Sequence, residues 1–216
     1  PGALSVIAIS EKNNLLNAPE TYMEKISTKV KEKNIIDLDY SVKKNISNLS
    51  DYLNKNPENI TACILDRPRH TKIIDQLKQL KVKLKLISDG DVSGALLVTD
   101  NKHNVDIFLG IGGGPEGVLA ASALDAFGCS FQGRFLFETD EDKSRAKKMG
   151  INDLKKKYEL NEIITGDSIF CATGITSGDL VSGIEIQGNE FISETLVTHK
   201  SSGLKKVIKL KQNIKW

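Results

Sequence analysis

Apolar positions along the chain fall into short blocks separated by turns rich in glycine, proline, asparagine and aspartate. Residues 3–9 form an uncharged apolar run that reads as a strand, closed by the turn pair Asn13-Asn14. Pro19 opens a segment in which Met23, Ile26 and Val30 step by three and four, which predicts a helix with one apolar face. Val42, Ile46, Leu49 and Leu53 keep the same spacing and predict a second helix, ended by Pro57. A repeating unit then begins. The run 61–65 leads into Asp66-Arg67-Pro68-Arg69-His70 and a helical stripe of Ile73, Ile74, Leu77 and Leu80. The run 82–87 leads into Asp89-Gly90-Asp91 and a helical segment over 92–98. The run 105–111 leads into Gly112-Gly113-Gly114-Pro115-Glu116-Gly117 and a helix over 118–127. Strand, loop and helix three times over predict βαβ units and a parallel sheet. Lys83 and Lys85 alternate with Val82, Leu84 and Leu86, which places that strand toward one side of the sheet.

Past Gly128 the pattern changes. The charged segment 140–149 reads as a helix with Gly150 as its C-cap. Strands are expected at 168–172 and 183–186, a hairpin turn at Gly188-Asn189, and a last strand at 206–210. No internal repeat and no low-complexity linker interrupts the 216 residues.

Composition narrows the field. Thirty Lys and Arg against 28 Asp and Glu give a net charge of +2, too even for a general nucleic-acid binder. No apolar run is long enough to span a bilayer and no secretory leader is visible, so a cytoplasmic protein is expected. The chain opens on Pro1, as expected of one that starts inside a longer gene product or was trimmed. Cys63, Cys129 and Cys171 are odd in number and widely spaced, which argues against a disulfide framework or a structural zinc; a bound metal would have oxygen ligands.

In a parallel sheet the loops that follow the strands gather at one edge, where open α/β sheets bind ligands. Here that rim receives two arginines, the carboxylates of Asp89 and Asp91, and a glycine loop carrying Glu116. Arginine forks suit phosphate oxygens, a helix start offers free N–H groups, and carboxylates ligate hard cations or accept hydroxyl protons. The set points to a phosphorylated polyol with a divalent metal. Each element also has a plainer reading: Asp66 as a helix cap, Gly90 as a left-handed turn with Asp91 as N-cap, Glu116 as a partner of the helix dipole, Tyr22 as part of an apolar stripe. The glycine loop also fits a dinucleotide fingerprint, with Glu138 about twenty residues on. Glu116 stands against it, because an unneutralised carboxylate in that loop repels a pyrophosphate.

The segments Leu16-Asn17-Ala18-Pro19-Glu20-Thr21-Tyr22-Met23-Glu24-Lys25, Asp66-Arg67-Pro68-Arg69-His70, Asp89-Gly90-Asp91, Gly110-Ile111-Gly112-Gly113-Gly114-Pro115-Glu116-Gly117 and Ala172-Thr173-Gly174-Ile175, in this order, resemble class II fructose-1,6-bisphosphatase of the GlpX type over almost the whole chain. The resemblance implies the layered α/β fold of lithium-sensitive sugar phosphatases: a mostly parallel sheet flanked by helices, with a terminal antiparallel part. Residues 1–60 would be the remainder of an N-terminal sheet with its helical connection, and 61–216 the sugar-phosphate-binding domain. It implies Mn²⁺- or Mg²⁺-dependent hydrolysis of the 1-phosphate of fructose 1,6-bisphosphate, with sedoheptulose 1,7-bisphosphate as a further substrate, in gluconeogenesis. Carried over, Glu116 is a metal ligand. Tyr22, Arg67, Pro68, Arg69, Asp89, Gly90, Asp91 and Gly113 line the substrate site, with Tyr22 and the arginines holding phosphate. The family's Gly-Glu-Gly-Glu and Asp-Pro-Ile-Glu-Gly-Thr motifs, which supply most metal ligands and the threonine that helps place the attacking water, are not in this sequence. The expectation is therefore that this chain alone is inactive, and that a homo-oligomer partner or an N-terminal segment covers the strand at 3–9. The alternatives are a nucleotide-binding α/β module using residues 112–117 and a non-catalytic remnant.

Overall fold

The computed structural model describes residues 2–214. Its larger sheet has six strands in the order β4-β3-β5-β2-β6-β7. The expected repeat is present in it: β3 (Thr61–Leu65), α2 (Thr71–Gln79), β4 (Lys83–Ile87), α3 (Asp91–Leu96), β5 (Ile107–Gly113) and α4 (Gly114–Phe127). β3 pairs in parallel with both β4 and β5, and the lysine-bearing β4 lies at the sheet edge.

Two expectations are corrected here. The segment expected to be a helix from Pro19 is β2 (Tyr22–Thr28), a strand inserted between β5 and β6 (Ser130–Leu136) and antiparallel to both. The reason is burial on both faces. Met23 joins the core on one side of the sheet and Ile26 the core on the other. A strand buried on both faces shows no period of two in hydrophobicity, and the buried Lys25 hides what alternation remains. The sheet is consequently not mostly parallel. Among the described residues β3 makes the only two parallel pairings, while β2–β5, β2–β6 and β6–β7 (Lys157–Glu159) are antiparallel.

Alternate residues of β5 show the layering. Ile107 and Leu109 face α1 (Val42–Leu53) and α2, in a core with Ile46, Leu49, Ile60 and Leu77. Phe108 faces the other way, toward α3 and α4. Asn54, left-handed at φ 51, ends α1 before Pro57 is reached. α4 packs against β2, β5 and β6 on one side and the second sheet on the other, so small residues (Ala120, Ala121, Ala123, Ala126) are buried nearly all round it. α5 (Asp140–Lys148) starts on a Thr139–Asp142 capping box and is followed by Gly150 at φ 91; α6 (Leu160–Ile163) is a single turn.

The second sheet runs β1-β8-β10-β11, built from β1 (Leu4–Ser10), β8 (Ser168–Gly174), β10 (Glu190–His199) and β11 (Leu204–Asn213), with β9 (Glu185–Gln187) hairpinned onto β10. All its pairings are antiparallel, and its inner face places Phe170, Ala172 and Leu196 against α4. Its outer face leaves Ile7, Ile9, Ile169 and Ile208 exposed. The two edges of the sheet differ: β11 carries Lys205, Lys206, Lys209 and Lys211, whereas β1 carries no charge. Strands from residues 1–60 pair with strands beyond residue 61 in both sheets. No helix among the described residues is long and apolar enough to cross a membrane.

Candidate active site at the ends of the parallel strands

The exits of β3, β4 and β5 open on one hollow of about 600 Å³. Its wall includes Tyr22, Arg67, Arg69, Asp89, Gly90, Asp91, Gly113 and Glu116, so eight of the nine residues singled out from the sequence meet there. Pro68 does not line it. It opens the 3₁₀ turn Pro68–His70, and with its fixed φ it sets where Arg67 and Arg69 leave the chain. Asp66 caps no helix: no side-chain cap bond forms at this turn or at the start of α2.

The Arg-Pro-Arg-His stretch is braced from below. The His70 side chain is buried, its Nδ1 lies 2.8 Å from the Leu65 carbonyl, and its Nε2 accepts the Ile111 N–H at 2.8 Å. Accepting at Nε2 fixes the neutral tautomer with the proton on Nδ1. Burial holds the His70 pKa below the ordinary histidine value. Arg69 Nε donates to the carbonyl of the same residue, Ile111, at 2.8 Å, and its guanidinium lies 5.1 Å from the centre of the Tyr22 ring. One residue of β5 thus anchors both ends of the Arg69-His70 pair. Among the described residues the terminal nitrogens of Arg69 have no hydrogen-bond partner and can meet an anion, stacked on an aromatic face. Arg67 approaches Asp89 only to 3.9 Å, and both are exposed, a contact of little energy.

Three glycines around the β5–α4 junction make room for this chain's own side chains. A Cβ on Gly112 would lie 2.4 Å from Asp91 Oδ2; one on Gly113, 1.9 Å from Glu116 Oε2; one on Gly117, 2.5 Å from Met23 Sδ and 2.9 Å from Lys25 Cε. The carboxylates of Asp91 and Glu116 therefore occupy the space that a dinucleotide fingerprint leaves for a pyrophosphate, which argues against that reading. Gly90 has the left-handed φ of 93 expected of it and takes the N-cap position, with Asp91 one residue later.

Sequence reasoning missed Lys25. Its side chain is 1% exposed and donates to Asp91 Oδ2. Burial lowers the ammonium's pKa, opposed by the negative charges of Asp91 and Glu116. Asp91 Oδ1 is buried and has no hydrogen-bond partner among the described residues. A buried lysine inside a strand leaves no local signal in a sequence. Met23-Glu24-Lys25 reads as one turn of a surface helix.

Glu116, exposed on the first turn of α4, also borders a second hollow of about 600 Å³ with Glu20, Glu138 and Asp142. Among the described residues, no three His, Cys, Asp or Glu side chains group closely enough to hold a metal ion.

The family model for bacterial fructose-1,6-bisphosphatase, glpX-encoded, matches residues 1–212. The chain belongs to this family. It is 36% identical over 214 residues to a D-fructose 1,6-bisphosphatase class 2/sedoheptulose 1,7-bisphosphatase of Synechococcus sp., covering 93% of this chain and 62% of that protein. Identity to the protein of the same name from Trichodesmium erythraeum is also 36%, with the same coverage. A fructose-1,6-bisphosphatase class 2 of Haemophilus influenzae is 36% identical over 219 residues, 95% of this chain and 66% of that protein. The glpX-family chain thus spans about 62% of the length of its cyanobacterial relatives.

Proposed function

We propose that this chain supplies the sugar-phosphate pocket of a class II fructose-1,6-bisphosphatase, hydrolysing the 1-phosphate of fructose 1,6-bisphosphate to fructose 6-phosphate and inorganic phosphate. The observation that carries the reading is the convergence of Arg67, Arg69 and Asp91 on one hollow, with Asp91 Oδ1 buried and unpartnered among the described residues. A carboxylate oxygen in that state calls for a hydroxyl donor, and two guanidinium groups call for a phosphate. Arg67 and Arg69, the latter pre-oriented by Ile111 and Tyr22, hold the phosphate; Asp91 and Asp89 accept hydrogen bonds from sugar hydroxyls. The names of the relatives support fructose 1,6- and sedoheptulose 1,7-bisphosphate as the substrate class; a role in gluconeogenesis and a cytoplasmic setting are part of the same proposal. The alternation of helix, sheet, helix and sheet supports the layered sugar-phosphatase fold.

Hydrolysis in this family reading uses Mn²⁺ or Mg²⁺, which would activate water and neutralise phosphate charge. Glu116 offers one carboxylate. The described residues bring no further pair of ligands to it, so by themselves they do not fit the ion. Either an N-terminal segment of the same protein or a second subunit would complete the centre. Calorimetric titration tests the pocket: fructose 1,6-bisphosphate binds and NAD does not, and the reverse result refutes the reading. A phosphate-release assay with Mn²⁺ tests completeness. No turnover is expected from the 216-residue chain alone, and sustained turnover would show that it already holds its metal.

A further inference from the structure

Lys25 stands at the centre of the larger sheet with its ammonium removed from water, and packing alone does not require a cation there. Desolvating a charge is unfavourable unless it is closely paired, and here Asp91 is the partner. Two positions make this pairing possible. Gly117, at the start of α4, leaves the space through which the Lys25 stem passes, and Gly112, at the end of β5, leaves the space into which the Asp91 carboxylate packs. The result is a carboxylate fixed from two sides. Its Oδ2 is bound to Lys25 and pressed on Gly112, while Oδ1 is held in the wall of the hollow without a partner among the described residues. Buried polar atoms are as a rule hydrogen-bonded, so an oxygen left open in the wall of a hollow can take a donor from a ligand.

We propose that Lys25 is a positioning residue. It holds the Asp91 carboxylate in one orientation as the acceptor for a hydroxyl of the bound sugar phosphate. Lys25 does not touch the ligand. It governs the affinity for the polyol part, while Arg67 and Arg69 govern the affinity for the phosphate. This inference rests on the sugar-phosphate reading above and deepens it by separating the two halves of recognition.

Calorimetric titration of the full chain with fructose 6-phosphate and with inorganic phosphate tests it. Lys25→Met is expected to weaken fructose 6-phosphate about tenfold, about 1.4 kcal/mol, and to leave inorganic phosphate within about threefold, since a screened and more distant charge contributes little. The double variant Lys25→Met/Asp91→Asn replaces the ion pair by neutral groups of similar shape and serves where the single variant fails to fold. It should show the same selective loss, and no larger one. Equal losses for both ligands would mark Lys25 as merely structural and overturn the proposal, as would wild-type affinity for fructose 6-phosphate in either variant. Absence of fructose 6-phosphate binding in the wild-type chain is a different result: it refutes the sugar-phosphate reading itself, and the role of Lys25 falls with it.

Discussion

Arg69 has two jobs at two ends of one side chain. Its Nε is committed to the Ile111 carbonyl, and only the remaining guanidinium nitrogens face the hollow. Lysine has a single ammonium and cannot do both. Arg69→Lys is therefore expected to behave nearly as Arg69→Ala, with fructose 1,6-bisphosphate affinity down by about tenfold or more in calorimetry, as for the loss of a charge-assisted hydrogen bond. A Lys variant close to wild type would mean that charge alone suffices. Asp91 bears on stability as well as binding. Asp91→Ala strands the Lys25 ammonium in the core and should cost about 3–5 kcal/mol in urea unfolding, most of it recovered by adding Lys25→Met. At this scale the sequence was readable where a residue sits in a distinctive loop. The meeting of Arg67, Arg69, Asp89, Asp91 and Glu116 at one hollow follows from their places at strand exits. The burial of Lys25 does not, because it depends on a strand paired with distant segments and on Asp91, 66 residues further along the chain.

The elements that frame the hollow are held by close backbone approach and by one uncharged imidazole. His70 ties the end of β3 to β5, and it can accept the Ile111 N–H only while neutral. Its pKa is lowered in the folded chain, so the unfolded chain takes up the proton first as pH falls. The contribution of His70 to stability is complete above the ordinary value of 6.5 and declines as pH drops below it toward the lowered folded value. Urea unfolding at pH 7.5 and 5.5 checks this: the loss between the two should shrink in His70→Leu, which is less stable than wild type at the higher pH. The glycine loop gives a paired test. Gly112→Ala drives a Cβ into the ion-paired Asp91 carboxylate on a central strand and should lower Tm by several degrees, at the scale of about 1–3 kcal/mol for overpacking. Gly113→Ala meets only the tip of the exposed Glu116 side chain, which can swing away, so thermal unfolding should change little. Helices and parallel strands were legible here because each carried its own period and its own stop. β2 was not, since a doubly buried strand with steps of three and four between its apolar residues imitates a helix. The antiparallel β6 carries no such period, because Gln132, Gly133 and Arg134 interrupt its apolar run; Gln132 is buried through bonds to Leu38 N–H and Glu159, partners no local pattern announces.

On the scale of the whole molecule, two sheets enclose α4, and the hollow opens where the larger sheet ends. The outer face of the smaller sheet is apolar and exposed, with Ile7 and Ile9 each at 52%. Replacing Ile7 and Ile208 by threonine should leave stability within about 0.5 kcal/mol, as for other surface changes, while sedimentation velocity should show less self-association than wild type. A large loss of Tm would mean that this face is packed in the isolated chain. The α/β class and the common rim were visible in advance from three strand–loop–helix repeats, whereas the sheet order depended on long-range pairing. The brace beneath the rim carries one more consequence. Arg67-Pro68-Arg69-His70 looks portable when written as four letters, yet half of its working parts belong to the peptide groups of Ile111. Grafted onto a different scaffold, the tetrapeptide would bring two loose cations and an idle imidazole unless the host presented an amide and a carbonyl in the same places.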